Sequence, residues 1–357
     1  MRENALRLLV EKVHESNLDA LLVLKQANVQ YITGFTGDYG FAVVSPQKSI
    51  FFTNSLNLEN AQSSVKKPFA IVEIKDNVIK TFSDLGVSFW GNRVGYEAET
   101  LTCSTYTKLK DSLKDVELCA TTGMVEELRI VKSASEMKAI IRAQRITESV
   151  FNEVLEFVHE GVEERDIACE IDYRIRKKGG ERSAFATIVA SGPNTSRPHA
   201  IPSKRKLIAG DIVLFDMGTV INGYMSDMTR TVVLGKANSE VKKKYAVVLA
   251  AQQAAINGIT SGMKCSEADL LARNIIQTAG YGDQFIHSLG HGVGLEVHEL
   301  PSLTKQSQDI LKENMVVTVE PGIYVPAWGG IRIEDMVAIT DGKCKNLTQT
   351  PKTLIEI

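Results

Sequence analysis

Short apolar runs alternate with amphipathic segments over the first third of the chain. Leu6, Leu9 and Val13 recur at helical spacing, and three later segments also have a helical pattern. The helical patterns lie at 3–16, 57–65, 78–85 and 104–113, and the strand-like runs at 20–24, 41–44, 49–53, 69–74 and 93–96. Strands that alternate with helices predict an α/β domain with a substantially parallel or mixed sheet over residues 1–122.

The pattern changes after residue 122, where the apolar spacing predicts longer helices. Ser133 and Glu136 have the spacing of a capping box and begin the first of them. The four helices are predicted over 134–159, 163–178, 239–259 and 266–279. Each helix pair ends at glycine and is followed by strand-like runs. The sequence of 357 residues therefore predicts a second domain over 123–357, built from a duplicated helix–helix–strands unit with a site between its halves.

Asn222-Gly223 lies between two apolar, β-branched runs and is the dipeptide that most favours a two-residue type I′ hairpin turn. In the register that this turn sets, Asp216 lies opposite Thr229, and Asp227 points to the same face on the diagonal. Diagonal neighbours on a sheet face are roughly 7–8 Å apart, which suits two carboxylates that hold cations about 3.5–4 Å apart. A buried carboxylate needs a partner of opposite charge. A metal cation is one such partner, and the nearby Arg230 is the alternative.

Composition and charge narrow the class of function. The net charge of −2 and a pI near 6.4 argue against a nucleic-acid or anionic-membrane partner. The five cysteines show no CxxC spacing, so we expect neither a disulfide framework nor a thiolate zinc site. The amino terminus is amphipathic rather than signal-like, and no run of about 18 apolar residues exists. We therefore expect a soluble, cytoplasmic protein.

Further candidate ligands lie in the last quarter of the chain. A glycine-rich, strand-like stretch over 285–299 holds three of the six histidines, without the HExxH spacing of a helical zinc site. Glu320 ends one apolar run, and Glu334 lies within another over 330–339. Buried glutamates are rare without a partner, and the chain offers few arginines to pair them. Four carboxylates and one imidazole are the ligand set of a dinuclear site for Mn²⁺, Co²⁺ or Zn²⁺.

Six segments together resemble the pita-bread metallopeptidase family that includes prolidase, aminopeptidase P and methionine aminopeptidase. They are Phe215-Asp-Met-Gly, Tyr224-Met-Ser-Asp227-Met-Thr-Arg-Thr, Gly290-His291-Gly-Val-Gly, Val297-His298-Glu, Glu320-Pro-Gly-Ile-Tyr and Gly330-Ile-Arg-Ile-Glu334-Asp. Asn28-Val-Gln-Tyr-Ile-Thr-Gly-Phe35 resembles the amino-terminal domain of prolidase and aminopeptidase P. The resemblance covers the whole chain. It implies an α+β protein with an N-terminal creatinase/prolidase-type α/β domain and a C-terminal pita-bread (creatinase/aminopeptidase-like) metallopeptidase domain.

The resemblance also implies a role for each matching residue. Asp216 would bind one ion, Asp227 and Glu334 would bridge two, and His291 and Glu320 would complete the coordination of the second ion. The implied catalytic residues are Glu320, His298 and His199, and the implied substrate-binding residues are His199, His287, His298, Tyr324 and Arg332. His199 lies in a segment with three prolines, 191–202, which we predict to be an extended loop without helix. The implied cofactors are two divalent ions per chain, Mn²⁺ or Co²⁺ ahead of Zn²⁺.

Several functions remain open at this point. The first is a prolidase, a homodimer that hydrolyses the Xaa-Pro bond of dipeptides through a metal-activated water. The close alternative is aminopeptidase P, which removes the residue before proline from longer peptides. Creatinase and a non-catalytic peptide-binding module share the fold but lack the metal ligands, and all five ligand positions are filled here. Metal content separates the metal enzymes from these two.

Overall fold

The computed structural model describes residues 2–85 and 87–357. The chain forms two compact units that divide between Arg129 and Ile130. None of the helices in the described part of the chain combines the length and apolar character that crossing a bilayer requires.

The first unit alternates strands with helices. Its elements are α1 (Arg2–Glu15), β1 (Ala20–Val23), α2 (Gln26–Thr33), β2 (Phe41–Val44), β3 (Ser49–Thr53), α3 (Leu58–Ser64), β4 (Ala70–Glu73), α4 (Val78–Leu85), α5 (Val87–Trp90), β5 (Arg93–Glu97), α6 (Cys103–Ser112), β6 (Glu117–Thr121) and α7 (Glu126–Arg129). Met124 and Val125 follow the predicted boundary at residue 122 but are buried in the core of this unit with Leu9.

The strands of the first unit form one mixed sheet in the order β4-β3-β2-β1-β5-β6, with β1 antiparallel to β2 and parallel to β5. Successive residues of β1 point to opposite faces, so Leu21 joins a core with α1–α3 and Leu22 joins one with α4–α6. Burial on both faces explains why β1 is a continuous apolar run. The predicted α/β architecture is confirmed.

The second unit contains two helix pairs and four β-sheets. Its elements are α8 (Ala134–Leu155), α9 (Glu164–Lys177), β7 (Ile188–Ser191), β8 (Ile212–Met217), β9 (Val220–Ile221), β10 (Tyr224–Met225), β11 (Met228–Val233), α10 (Ser239–Gly258), α11 (Cys265–Thr278), β12 (Gly290–Gly292), β13 (Glu299–Leu303), β14 (Val316–Val319), β15 (Gly322–Val325), β16 (Gly329–Arg332), β17 (Asp335–Ala338), β18 (Lys345–Asn346) and β19 (Ile355–Glu356). The larger sheets have the orders β19-β11-β8-β7 and β13-β12-β14-β17-β18.

The hairpin formed by β8–β11 has the predicted register. Asp216 pairs with Thr229, and Ile221 pairs with Tyr224 at the tip. Asn222 and Gly223 have φ values of 52° and 78°, and both central residues of a type I′ turn require such positive values. Two turn residues therefore fix which strand positions face the same side.

The two helix pairs are connected to the chain in the same way. Gly161, between α8 and α9, donates its backbone N–H to Leu207 O at 2.8 Å, and Leu207 donates back to Val162 O at 2.9 Å. Between α10 and α11, Gly262 donates to Leu311 O at 2.8 Å, and Leu311 donates back to the residue after Gly262 at 2.9 Å. The repeat predicted from the helix pattern thus extends to individual hydrogen bonds.

Candidate metal centre and substrate pocket

A cavity of about 540 Å³ in the second unit brings the sequence-predicted site residues together. The predicted residues that line it are Asp216, Asp227, Glu320, Glu334, His199, His287, His291, His298 and Arg332. Tyr324 lies beside this group, where its hydroxyl contacts His287 and Arg332. Every candidate residue is therefore in or next to one cavity.

The five candidate ligands come from both halves of the second unit. Asp216 lies in β8 and Asp227 directly precedes β11, so the hairpin after the first helix pair supplies two acids. His291 in β12, Glu320 after β14 and Glu334 after β16 all follow the second helix pair. The arrangement places the cavity between the halves.

Glu334 does not lie inside a continuous strand, as the apolar pattern over 330–339 predicted. The chain pairs with β15 up to Arg332 and with β14 from Asp335, so it changes partner at Ile333 and Glu334. There the Glu334 N–H donates to Thr229 O of β11 at 3.1 Å. Glu334 therefore lies where the chain crosses between β pairings.

Two other local predictions were wrong. Only residues 290–292 of the predicted strand-like stretch 285–299 form a strand before β13, because the pairing with β13 shifts register between His291 and Gly292. The segment 191–202 is not free of helix, since Gly192–Ser196 forms a 3₁₀ turn with proline in its first turn, a position that needs no proline N–H. His199 follows this turn, is exposed and lines the cavity.

Asp227, His291 and Glu334 form the tightest group, with one ligand atom of each within 4.8 Å of the others. The Nδ1 atom of His291 lies 3.0 Å from Gly292 O, to which it donates. This bond leaves Nε2 directed at the acids, 3.3 Å from Glu320 Oε1 and 3.7 Å from Asp227 Oδ2. A backbone carbonyl that fixes the ring in this way is the usual support of a metal-binding histidine.

Buried acids in this cavity resist ionisation. Burial raises the pKa of Asp227 and of Glu334 well above the usual range, and the charges of neighbouring acids raise both further. Burial also raises the pKa of Asp216, an effect that the Arg332 guanidinium opposes. The cavity therefore gathers more acids than its one arginine can pair with.

Glu320 and His291 behave as a pair. Burial opposes the charge of each, but their contact holds the pKa of Glu320 at about 2 and raises the pKa of His291 to about 9. Burial lowers the pKa of His287 and of His298, and the charge of His291 lowers that of His298 further. His287 and His298 are therefore neutral at neutral pH.

Arg332 connects the ligands to the substrate side of the cavity. Its Nη2 donates to Asp216 Oδ2 at 2.6 Å, and its Nη1 donates to the Tyr324 hydroxyl at 2.8 Å. That hydroxyl lies 3.0 Å from Nε2 of His287, whose Nδ1 lies 2.8 Å from the Ser288 carbonyl and donates to it. The tyrosine hydroxyl therefore accepts a hydrogen bond from Arg332 and donates one to His287.

Arg230 was the alternative partner for the aspartates. It instead pairs with Asp335 at 2.7 Å.

Thr229 is a site residue to which sequence reasoning gave no role. Its hydroxyl donates to Glu334 Oε2 at 2.6 Å and accepts from Arg332 Nε at 2.9 Å. The hairpin register, which placed Thr229 opposite Asp216, was the signal that identified its face. Thr229 fixes the orientation of one candidate ligand and of the arginine that contacts another.

The residues present fit divalent cations. Asp216 Oδ1 is buried and accepts no hydrogen bond from the described part of the chain, so one ligand oxygen is available. Carboxylate oxygens with one imidazole nitrogen are donors suited to Mn²⁺, Co²⁺ or Zn²⁺. Cations would also neutralise the acids whose pKa burial raises.

Comparison with known proteins gives a consistent result over the whole chain. Residues 6–131 match the creatinase/prolidase N-terminal domain, and residues 138–341 match metallopeptidase family M24. The chain is similar to the Xaa-Pro dipeptidase of Pyrococcus furiosus, with 36% identity over 353 residues that cover 97% of this chain and 98% of that protein.

Solved structures agree. The fold is similar to that of the Xaa-Pro dipeptidase from Bacillus anthracis, with a TM-score of 0.96, 36% identity and 100% coverage of both chains. It is also similar to the X-Pro aminopeptidase from Thermotoga maritima, with a TM-score of 0.89, 32% identity and coverage of 96% and 99%.

Proposed function

The chain belongs to metallopeptidase family M24, and from this premise we propose that it hydrolyses the Xaa-Pro bond of dipeptides. The observation that carries the proposal is the convergence of four acids and His291 on one cavity, in a chain that matches Xaa-Pro dipeptidases over nearly its full length. Creatinase and a peptide-binding module on the same fold do not account for this concentration of buried acids.

Asp216, Asp227, His291, Glu320 and Glu334 would hold two divalent ions. When bound, such ions lower the pKa of a water and polarise the scissile carbonyl. The oxygen-rich ligand set favours Mn²⁺ or Co²⁺ ahead of Zn²⁺.

Glu320 accepts the proton of the attacking water and passes it to the leaving nitrogen. In the metal-free chain burial opposes the charge, but the contact with His291 lowers the pKa of Glu320, so its carboxylate is ionised at neutral pH. The proline nitrogen is a poor leaving group as an anion, so the bond breaks only when a proton is supplied to that nitrogen. Both proton transfers take place at the carboxylate oxygens of Glu320.

His298 and His199 donate hydrogen bonds to the developing oxyanion. Burial lowers the pKa of His298, so its ring is neutral and keeps an N–H for donation. One such donor is worth about 2.7–4 kcal/mol of transition-state stabilisation. Arg332, held by Asp216 and Tyr324, orients the ligands and offers a positive charge to the substrate carboxylate.

The remaining wall of the cavity is mostly apolar. It includes Phe185, Ile188, Pro198 and Val297, which suit an apolar side chain and the proline ring. These residues form the part of the site that binds rather than reacts.

The proposal extends to the setting of the enzyme. All five cysteines are free thiols, which agrees with a reducing cytosol. We expect a homodimer, as the resemblance implies, and light scattering on the purified protein measures its mass.

Aminopeptidase P activity is the second candidate, favoured by the similarity to an X-Pro aminopeptidase. The test compares turnover of Leu-Pro and Met-Pro with that of Leu-Pro-Pro, with Mn²⁺, Co²⁺ and Zn²⁺ supplied in turn. A dipeptidase cleaves the first two and spares the third. Preferred cleavage of Leu-Pro-Pro supports aminopeptidase P, and a purified protein that binds no metal and cleaves none contradicts both.

A further inference from the structure

A buried ion pair lies next to His298 and includes none of the candidate ligands or substrate-binding residues. Lys132 Nζ lies 2.5 Å from Glu299 Oε1, and the two side chains are only 1% and 5% exposed. Glu299 is the residue after His298 in the chain. A buried ion pair seldom stabilises a fold more than apolar residues of the same size do, so its use here needs another reason.

The backbone fixes the position of Lys132 independently of the pair. Val131 forms a β-bridge with Met315, and the Lys132 N–H donates to Asn314 O at 2.8 Å. Lys132 Nζ donates a second hydrogen bond to Ile130 O at 3.2 Å. The position of the ammonium group is therefore fixed beside the segment that leads into β14.

The loop that carries His298 is closed around the Glu299 carboxylate. Its first end is held by hydrogen bonds from Val293 N to Val316 O at 3.2 Å and from Met225 N to Gly294 O at 2.8 Å. At its other end Glu299 pairs with Gly292. A Cβ atom at Gly294 would lie 2.2 Å from Glu299 Oε1, so the carboxylate fills the interior of the loop and requires glycine there.

His298 projects from this loop into the cavity. Its ring centroid lies 4.3 Å from that of His291, with an angle of 72° between the ring planes. We propose that Lys132 is a positioning residue for His298, acting through Glu299 to fix the loop so that the imidazole faces the reacting carbonyl. This role rests on the proposed function, in which His298 donates to the oxyanion.

The test replaces Lys132 by methionine, which keeps the length of the side chain and removes the ammonium group. A displacement of about 1 Å in a catalytic group costs on the order of 10²-fold in rate. We therefore expect Lys132→Met to lower kcat for Leu-Pro about 10²-fold, with KM changed less than about threefold. Metal content should match the wild type, because His298 is not a metal ligand.

A second variant separates positioning from stability. Lys132→Met with Glu299→Met replaces the pair by apolar side chains and should recover much of the thermal stability. If the pair positions His298, kcat stays low in this double variant. Recovery of kcat together with stability would overturn the proposal, as would a folded Lys132→Met protein with wild-type kcat. If Lys132→Met alone does not fold, the double variant decides.

The matched control is Lys244→Met. Lys244 is also buried, pairs with Glu240, and lies 4.1 Å above the Trp328 ring, outside the cavity. Its loss should lower the melting temperature and leave kcat within about threefold. An equal loss of kcat in the control would mean that any buried lysine has this effect, and would overturn the proposal.

A readout free of turnover completes the design. In protein labelled with ¹³C at histidine Cε1 and loaded with diamagnetic Zn²⁺, the His298 signal, assigned from a His298→Asn variant, should shift or broaden in Lys132→Met. The signals of His14 and His159 should not change. An unmoved His298 signal contradicts the positioning role. A wild-type protein that cleaves no Xaa-Pro dipeptide contradicts the proposed function instead, and the signal still tests the positioning.

Discussion

Glu334 and Asp335 are adjacent in the chain and equally buried, yet they lie in opposite electrostatic surroundings. Asp335 accepts hydrogen bonds from Arg230, Lys352 and Gln252 at 2.7–2.9 Å. Burial opposes its charge, but the two cations hold the pKa of Asp335 below its usual value. Glu334 faces the other acids and accepts a hydrogen bond from the neutral Thr229, and its pKa is raised well above the usual range.

The difference separates a structural acid from a functional one. Glu164 repeats the structural pattern, because burial opposes its charge but hydrogen bonds from Ser203, Asn194 and Ser191 lower its pKa. Evolution has supplied partners to such acids within the chain. Asp227 and Glu334 in the cavity lack that compensation, which is what a site built for external cations requires. Substitutions and a pH series test this contrast.

The largest effect is expected on turnover. Asp227→Ala or Glu334→Ala should abolish measurable hydrolysis of Leu-Pro, since each removes a buried carboxylate that would help to hold the cations. Glu313→Ala, at an exposed acid, is the control and should be neutral. Metal analysis and a melting curve accompany the assay. Near-normal turnover in a folded variant contradicts the assignment of these acids as ligands.

Substitution of Asp335, the acid with partners within the chain, should lower the stability of the fold. Asp335→Asn leaves the guanidinium of Arg230, which is 2% exposed, without its charge partner. Breaking such a pair costs about 3–5 kcal/mol in the free energy of unfolding. Urea unfolding measures the loss against Asp341→Asn, an exposed acid. A cost under about 1 kcal/mol would show that the two regions do not differ as described.

His199 tests the distinction between residues that bind metal and residues that donate hydrogen bonds to the substrate. His199→Ala should lower kcat/KM about 10²-fold, the scale of one lost transition-state donor, with metal content unchanged. His159→Ala, at another exposed histidine, is the control. A change under about threefold would mean that His199 is an exposed loop histidine without a role in turnover.

The smallest effect is a pH dependence of the metal-free protein. The raised pKa values of Asp227 and Glu334 mean that the unfolded state releases these protons first as pH rises, so stability falls above about pH 4. The stability that His291 gains from its raised pKa is lost as pH rises through about 9. The lowered pKa values of His287 and His298 oppose this slope only up to about pH 6.5, the ordinary histidine value. The melting temperature should therefore fall between about pH 7 and 9.

Glu334→Gln tests the source of that slope. Without the carboxyl, the metal-free variant should melt roughly 2–4 °C above the wild type at pH 8 and depend less on pH. A melting temperature at or below that of the wild type would show that the acid is compensated after all.

Sequence predicted those features that depend on local pattern. Asn222-Gly223 determined the hairpin register, and Ser133 and Glu136 form the predicted capping box. Helix α2 was missed because its sequence, with Val29, Ile32 and Thr33, gives no strong helical signal, and tertiary burial of one face decides its conformation. Apolar pattern shows that a segment is buried but not where it changes partner, so the break at Glu334 was missed.

The sequence selected residues that the fold brings together, but it did not give the hydrogen bonds among them. Spacing and resemblance selected residues that do line one cavity. The roles of Thr229 and Lys132 depend on contacts between distant segments, and neither residue type is unusual in its local sequence. Only the folded chain shows which hydroxyl contacts Glu334 and which ammonium group contacts Glu299.

The division of the ligands between the two halves has a consequence for folding kinetics. Thr229 and Glu334 hydrogen-bond across 105 residues of chain, so the two groups of ligands meet only when the halves have docked. Contacts this distant in sequence form late, because their loop-closure entropy is lost before they stabilise the chain. Cations should therefore leave the refolding rate nearly unchanged and slow unfolding. The metal-bound protein would then persist because its activation barrier to unfolding is high.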